Sequence, residues 1–167
     1  MEFLDRIDDC TACGICGTYN RVPVPPMGNP EAEFMVIGSS PGVTENKTRI
    51  PYSGYAGDNL RELLNIAGIH EDNIWWRDKA LGKRQIKTCT EKWLFPEILT
   101  VDPKYILTLG AKPLQLFFPS EKISGCHGQI LEWENGIKIL PMYEPASVAY
   151  NPLLADEIEA DFQRIMG

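Results

Sequence analysis

Five cysteines offer the most chemistry in this chain, and three of them fall within seven positions. Cys10, Cys13 and Cys16 form CTACGIC, a C-x2-C-x2-C run, while Cys89 and Cys126 lie far downstream. A tight turn brings thiolates spaced this way to the same side, so a C-x2-C pair reads as half of a zinc or iron–sulfur site. Three thiols from this knuckle and one distant thiol would complete a four-cysteine site. The same residues also suit small buried apolar positions, a common fate of free cysteine. Cys126, beside His127 in SGCHG, reads as a structural thiol.

The elements that must position such residues follow from hydrophobic patterning. FMVIG (34–38) is a continuous apolar run ending in SSPG, as a buried parallel strand and its carboxyl-end loop would be. NIWWR (73–77), YILTLG (105–110) and GIKILPMYEP (136–145) supply three more strands. Between them, GDNLRELLNIAG (57–68) has helical spacing with Gly68 as its stop. TEKWLFPEILT (90–100) reads as a helix capped by Thr90, and LLADEIEADFQRIM as an amphipathic closing helix with an acidic outer face. RVPVPPMGNP is an extended, proline-rich connector. Strand and helix alternate about four times, which predicts a three-layer α/β/α fold around a central, mostly parallel four-stranded sheet. Sites in such sheets form beyond the carboxyl ends of the strands. The whole chain, 1–167, reads as a single domain carrying the knuckle at 10–16.

Composition sets the outer bounds. With 44% hydrophobic and 23% charged residues, the chain can bury one sizeable core. No apolar run reaches the roughly 18–20 residues of a membrane helix, and MEFLDRIDDC lacks a signal-peptide pattern. The expectation is a soluble, cytoplasmic monomer whose cysteines serve as thiols or ligands before disulfides. The net charge of −7, from 16 basic and 23 acidic side chains, argues against a dedicated nucleic-acid binder. Its distribution argues the other way. Arg77, Lys79, Lys83, Arg84, Lys87 and Lys92 crowd a stretch whose acids are Asp78 and Glu91, while Asp156, Glu157, Glu159 and Asp161 gather in the last helix. A local basic loop contacts phosphates whatever the global sum. A solvated lysine-rich loop is the plainer alternative.

Several motifs occur in a telling order: CTAC, GNP, a strand into PG, P-x-x-G-x-AG, CTEKWL, DPKYILTLGA, and PMYEPA followed by NP. From about Cys10 to Asn151 the chain thereby resembles the family-4 uracil-DNA glycosylases. The resemblance implies the fold derived above and a [4Fe-4S] cluster held by four cysteines. It also implies removal of uracil from single- or double-stranded DNA after the nucleotide is flipped out of the helix. It assigns cluster ligation to Cys10, Cys13 and Cys89. The family's third ligand falls near Leu81 or Gly82, where this chain has no cysteine, and Cys16 is the candidate to fill the gap. A cluster with a non-cysteine third ligand, a zinc ion or no metal are the alternatives.

The resemblance also maps a pocket that departs from the family. Its first motif, Gly-Glu-x-Pro-Gly, reads Gly38-Ser39-Ser40-Pro41-Gly42 here, so the turn is kept and the glutamate lost. Backbone N–H groups of such a turn hold oxygens of a base or phosphate. Tyr52 falls where the family stacks an aromatic ring on the base; a plain core role is the alternative. The family's base-reading asparagine corresponds to Asp78, with Arg77 as competitor, and its His-Pro-Ala histidine to Glu144. A carboxylate only accepts hydrogen bonds when ionised, whereas asparagine donates and accepts. Asp78, Glu144 and Ser39 are thus the candidate catalytic residues; Gly38, Ser40, Pro41, Gly42 and Tyr52 line the base; Lys83, Arg84 and Lys87 contact DNA. The expected activity is hydrolysis of the N-glycosidic bond of uracil or a modified base. The alternative is an inactive relative serving as a DNA- or protein-binding module.

Overall fold

The computed structural model describes Ile7 and residues 10–14, 22–77 and 87–166. Four parallel strands form its centre: β2 (Phe34–Ile37), β3 (Ile74–Arg77), β4 (Tyr105–Leu109) and β6 (Lys138–Met142). Two short strands, β1 (Met27–Gly28) and β5 (Leu131–Glu132), pair antiparallel with β3 and β6 at the edges. The spatial order is β1-β3-β2-β4-β6-β5, so among the described residues the sheet has six strands where patterning predicts four. The two additional strands are two residues long, too short to carry a periodic signal. Prolines flank Met27–Gly28, and a residue without an N–H cannot extend that ladder.

Register fixes where the strands end. Ile37 pairs with Arg77 on one side and Thr108 on the other, and Thr108 pairs with Pro141. The carboxyl ends of all four parallel strands therefore lie level along one side of the sheet. The loops that follow them, beginning at Gly38, at Gly110 and at Tyr143, share that side.

Alternation along each strand builds two cores. Phe34, Val36, Ile74, Trp76, Leu107, Leu109, Leu140 and Met142 face one way. They meet Leu60, Leu63 and Leu64 of a helix at Tyr55–Ile66 and Ile158, Phe162 and Ile165 of the C-terminal helix region. Met35, Ile37, Trp75, Ile106 and Ile139 face the other way, against Leu94, Ile98, Val101 and Phe117. Helices on both faces of a largely parallel sheet make the three-layer α/β/α arrangement.

We label the helices α1 (Val43–Thr48), α2 (Tyr55–Ile66), α3 (Phe95–Val101), α4 (Ala111–Phe117), α5 (Ile123–Cys126) and α6 (Leu154–Arg164). Gly68, at φ +74, ends α2 as its position predicts. Thr90 is not a cap. It opens a π-helical turn, Thr90–Leu94, that runs directly into α3. Pro96 brings no N–H to the helical ladder, and the widened turn just before it accommodates that gap. Asp161 also departs from expectation: it is 1% exposed rather than part of the acidic outer face. Its carboxylate accepts from Arg164 Nη2 at 2.5 Å and lies 2.6 Å from His127 Nδ1, so specific partners draw it inward.

Candidate functional site

The loop after β2 is held at both ends. Gly38 N–H donates to the Arg77 carbonyl at 3.0 Å, which fixes the loop to the neighbouring strand end. At its far end Gly42 caps α1, and Glu45 one turn later folds back on it. Glu45 Oε2 accepts the Gly42 N–H at 3.0 Å, and Oε1 accepts the Gly54 N–H at 2.8 Å. One buried carboxylate thus ties Gly38-Ser39-Ser40-Pro41-Gly42 to the Tyr52-Ser53-Gly54 loop through two charge-assisted bonds. A side chain at either glycine would intrude on it: a Cβ would lie 2.7 Å from Oε2 at Gly42 and 3.1 Å from Oε1 at Gly54.

Tyr52 is held by its backbone as well as by its ring. Its φ is +54, and its carbonyl accepts from Arg61 Nη1 at 2.7 Å. The same guanidinium lies 4.9 Å from the Trp76 ring centroid and pairs with Glu71 at 2.8 Å. The Tyr52 ring is 6% exposed and tilts against Trp76 with centroids 5.4 Å apart. This residue belongs to the core face that includes Leu60 and Leu109, at the carboxyl side of the sheet.

Glu144 follows β6 and heads a 3-10 turn, Pro145–Ala149. Its carbonyl accepts from Ser147 N at 2.9 Å and Ser147 Oγ at 2.6 Å, which sets the direction in which the turn leaves the strand. Gly110, the residue after β4, neighbours both Glu144 and Ser39. A Cβ on Gly110 would sit 3.6 Å from Glu144 Cβ and 3.9 Å from Ser39 Oγ. Gly110 has φ +88 and ψ −179, a conformation open essentially to glycine alone. Three strand ends thus place Ser39 and Glu144 beside the same residue without a side chain.

Arg77 takes the opposite direction. Trp76 faces the α2 side, so Arg77 faces the α3 side, 2% exposed. Its Nε lies 3.5 Å from Glu97 Oε2 and its Nη2 donates to Cys89 Sγ at 3.4 Å. Trp75 Nε1 donates to Glu97 Oε1 at 2.6 Å. Strand alternation therefore turns the Arg77 side chain toward Glu97 and Cys89, on the opposite face from Trp76. Asp78, Lys83, Arg84 and Cys16 lie outside the described residues.

Cys10, Cys13 and Cys89 are each partly exposed and carry no disulfide. Trp93 Nε1 donates to Cys10 Sγ at 3.2 Å, which docks Cys10 on the helical segment that carries Cys89. Among the described residues, no three His, Cys, Asp or Glu side chains form a metal-holding group. Cys126 is 4% exposed and donates to the Lys122 carbonyl at 3.3 Å. Burial, reinforced by Glu121, pushes its thiol up. Lys87 is exposed and pairs loosely with Glu91 at 3.8 Å.

Sequence reasoning overlooked Glu45, Gly110 and Arg61 as builders of this region. The spacing from Gly42 to Glu45 is that of a helix cap and its third residue, a local signal that marks the first. Gly110 and Arg61 act on residues distant in the chain, and no local pattern announces them.

The family described as the Uracil DNA glycosylase superfamily matches residues 25–165. The type-4 uracil-DNA glycosylase of Saccharolobus solfataricus is 30% identical, over 99% of this chain and 86% of its own length. Those of Archaeoglobus fulgidus and Thermotoga maritima are each 28% identical, over 99% and 90% of this chain and 92% and 84% of their own lengths.

Proposed function

This chain belongs to the uracil-DNA glycosylase superfamily, and from that premise we propose that it is a DNA N-glycosylase acting on uracil or a modified base. The observation that carries this reading is the meeting of Ser39 and Glu144 across Gly110, at the carboxyl ends of parallel strands. The relatives named type-4 uracil-DNA glycosylases cover nearly the same length of chain.

In the proposed reaction the bond between C1′ of the deoxyribose and the base nitrogen breaks. A water oxygen bonds to C1′, and the base leaves with a proton in place of the sugar. The nucleotide flips out of the helix so that the base enters between the loop at 38–42 and the turn at Glu144. Backbone N–H groups of the loop accommodate a base oxygen, with Ser40, Pro41 and Gly42 shaping the turn. Tyr52, packed on Trp76, closes the pocket at the back. Ser39 Oγ, a donor and acceptor, holds the water or the base edge. Glu144, where the family has histidine, donates to the leaving base when protonated and accepts from a base amino group when ionised. Asp78 is the second carboxylate of the reading and contacts the base edge. Exposed Lys87, with Lys83 and Arg84, contacts DNA phosphates.

Cys10, Cys13, Cys16 and Cys89 would hold a [4Fe-4S] cluster. Their chemistry fits it: all are thiols, and the sulfurs of Cys10 and Cys89 each receive an N–H bond, as cluster ligands do. Bound there, the cluster would cross-link the amino-terminal knuckle to the helical segment at Cys89.

The test is a screen of single- and double-stranded oligonucleotides carrying uracil, hypoxanthine, xanthine or modified pyrimidines, scored for abasic sites. Excision that disappears in Glu144→Ala supports the reading. Glu144→His restores the family's donor and is expected to raise uracil excision by about tenfold or more, within the range one such group contributes. Salt-sensitive DNA binding with no abasic product on any substrate would favour the second reading, a non-catalytic DNA-binding relative. That reading is motivated by the serine, aspartate and glutamate that stand where the family keeps glutamate, asparagine and histidine.

A further inference from the structure

Two N–H groups converge on the sulfurs of the knuckle and of Cys89, and neither belongs to a ligand. Trp93 Nε1 lies 3.2 Å from Cys10 Sγ, and Arg77 Nη2 lies 3.4 Å from Cys89 Sγ. Both donors are withdrawn from water, at 6% and 2% exposure. Trp93 follows Cys89 by four residues in continuous helix, so one segment presents a sulfur and the donor to a second sulfur. Arg77 is held in place from behind: Glu97 Oε2 lies 3.5 Å from its Nε, and Trp75 Nε1 holds Glu97 Oε1. Indole and guanidinium have donors and no acceptor, so each can serve a sulfur only by lending it an N–H.

We propose that Arg77 and Trp93 are positioning residues of the cluster, donating N–H bonds to the Cys89 and Cys10 sulfurs and retaining the cluster against loss. The proposal rests on the cluster reading above. Groups outside the ligand set orient the ligands and tune the site, and hydrogen bonds to sulfur raise the reduction potential of iron–sulfur clusters. A cation next to Cys89 acts in the same direction, because it offsets negative charge on the reduced cluster. Arg77 has a second tie: its carbonyl accepts the Gly38 N–H at 3.0 Å. One strand end therefore holds both a ligand sulfur and the first glycine of the base pocket.

The test uses full-length protein purified anaerobically, with iron content, visible absorbance, reduction potential and iron release to a chelator as readouts. Trp93→Phe keeps a ring and removes the N–H to Cys10. Arg77→Met combined with Glu97→Gln removes the guanidinium without stranding a buried carboxylate. Each variant is expected to bind iron, release it about tenfold faster than wild type, and show a more negative reduction potential. Iron-loaded variants with wild-type release rates and potentials would overturn the proposal while the cluster stands. A wild-type protein without iron would instead overturn the cluster reading, and this proposal with it. If the double variant does not fold by circular dichroism, Trp93→Phe decides the matter.

Discussion

Glu45 and Gly54 are joined by a 2.8 Å bond from the glycine N–H to Oε1, while the second carboxylate oxygen holds Gly42. A single side chain therefore sets the spacing between the two loops that frame the proposed pocket. Glutamine retains one acceptor oxygen and would leave one of the two N–H groups facing an amide nitrogen. Glu45→Gln is expected to destabilise the protein by about 1–3 kcal/mol, the cost of a buried donor left unmet. Urea denaturation measures the loss, and an unchanged midpoint would show that the two loops do not depend on this carboxylate. The same variant should raise KM for a cleaved oligonucleotide more than it lowers kcat, because it alters pocket shape rather than the reacting groups.

Gly110→Ala tests the meeting point of Ser39 and Glu144. The added methyl fits at ordinary contact distances of 3.6 and 3.9 Å, so the effect comes from the backbone. At φ +88 and ψ −179 alanine is strained by about 1–3 kcal/mol. The expected results are a lower melting temperature and a weakened base pocket. An alanine variant with wild-type stability would mean that the loop adopts another conformation at no cost.

Glu97→Ala removes the carboxylate that serves both Arg77 and Trp75. The guanidinium would remain buried without its counter-charge, and the expected destabilisation is about 3–5 kcal/mol. The Arg77→Met and Glu97→Gln pair should cost much less, since no buried charge is stranded. Equal losses in the two proteins would show that packing, not charge pairing, governs this network.

Cys126 makes a pH-dependent contribution with a definite sign. Its folded pKa is raised by burial, then by Glu121, so its contribution is complete below the unfolded thiol's pKa. The contribution is lost as pH rises through the folded pKa, where the thiolate forms. As pH rises above the ordinary thiol pKa, wild type should therefore lose melting temperature more steeply than Cys126→Ala. Parallel curves for the two proteins would refute the assignment.

The central architecture is legible in the linear chain. FMVI, IWWR, YILTL and KILPM form the four parallel strands, because short apolar runs closed by turn residues are local signals of buried strands. The order of the motifs was equally legible, since it needs only the linear chain. The two-residue edge strands were not, because their pairing depends on what the neighbouring strand offers. Tertiary structure also decided how individual side chains are used. Asp161 reads as one more acid on an amphipathic helix, yet His127, reached only through folding, pairs with it in the interior, beside Arg164 one turn along the same helix. Arg77 reads as part of a basic stretch, yet strand alternation turns it toward Glu97 and Cys89. Periodicity reports which face a residue occupies, whereas its partner is set by which distant element packs against that face. Ser39 and Glu144 are 105 positions apart in the chain, and only the level register of three parallel strands brings both beside Gly110.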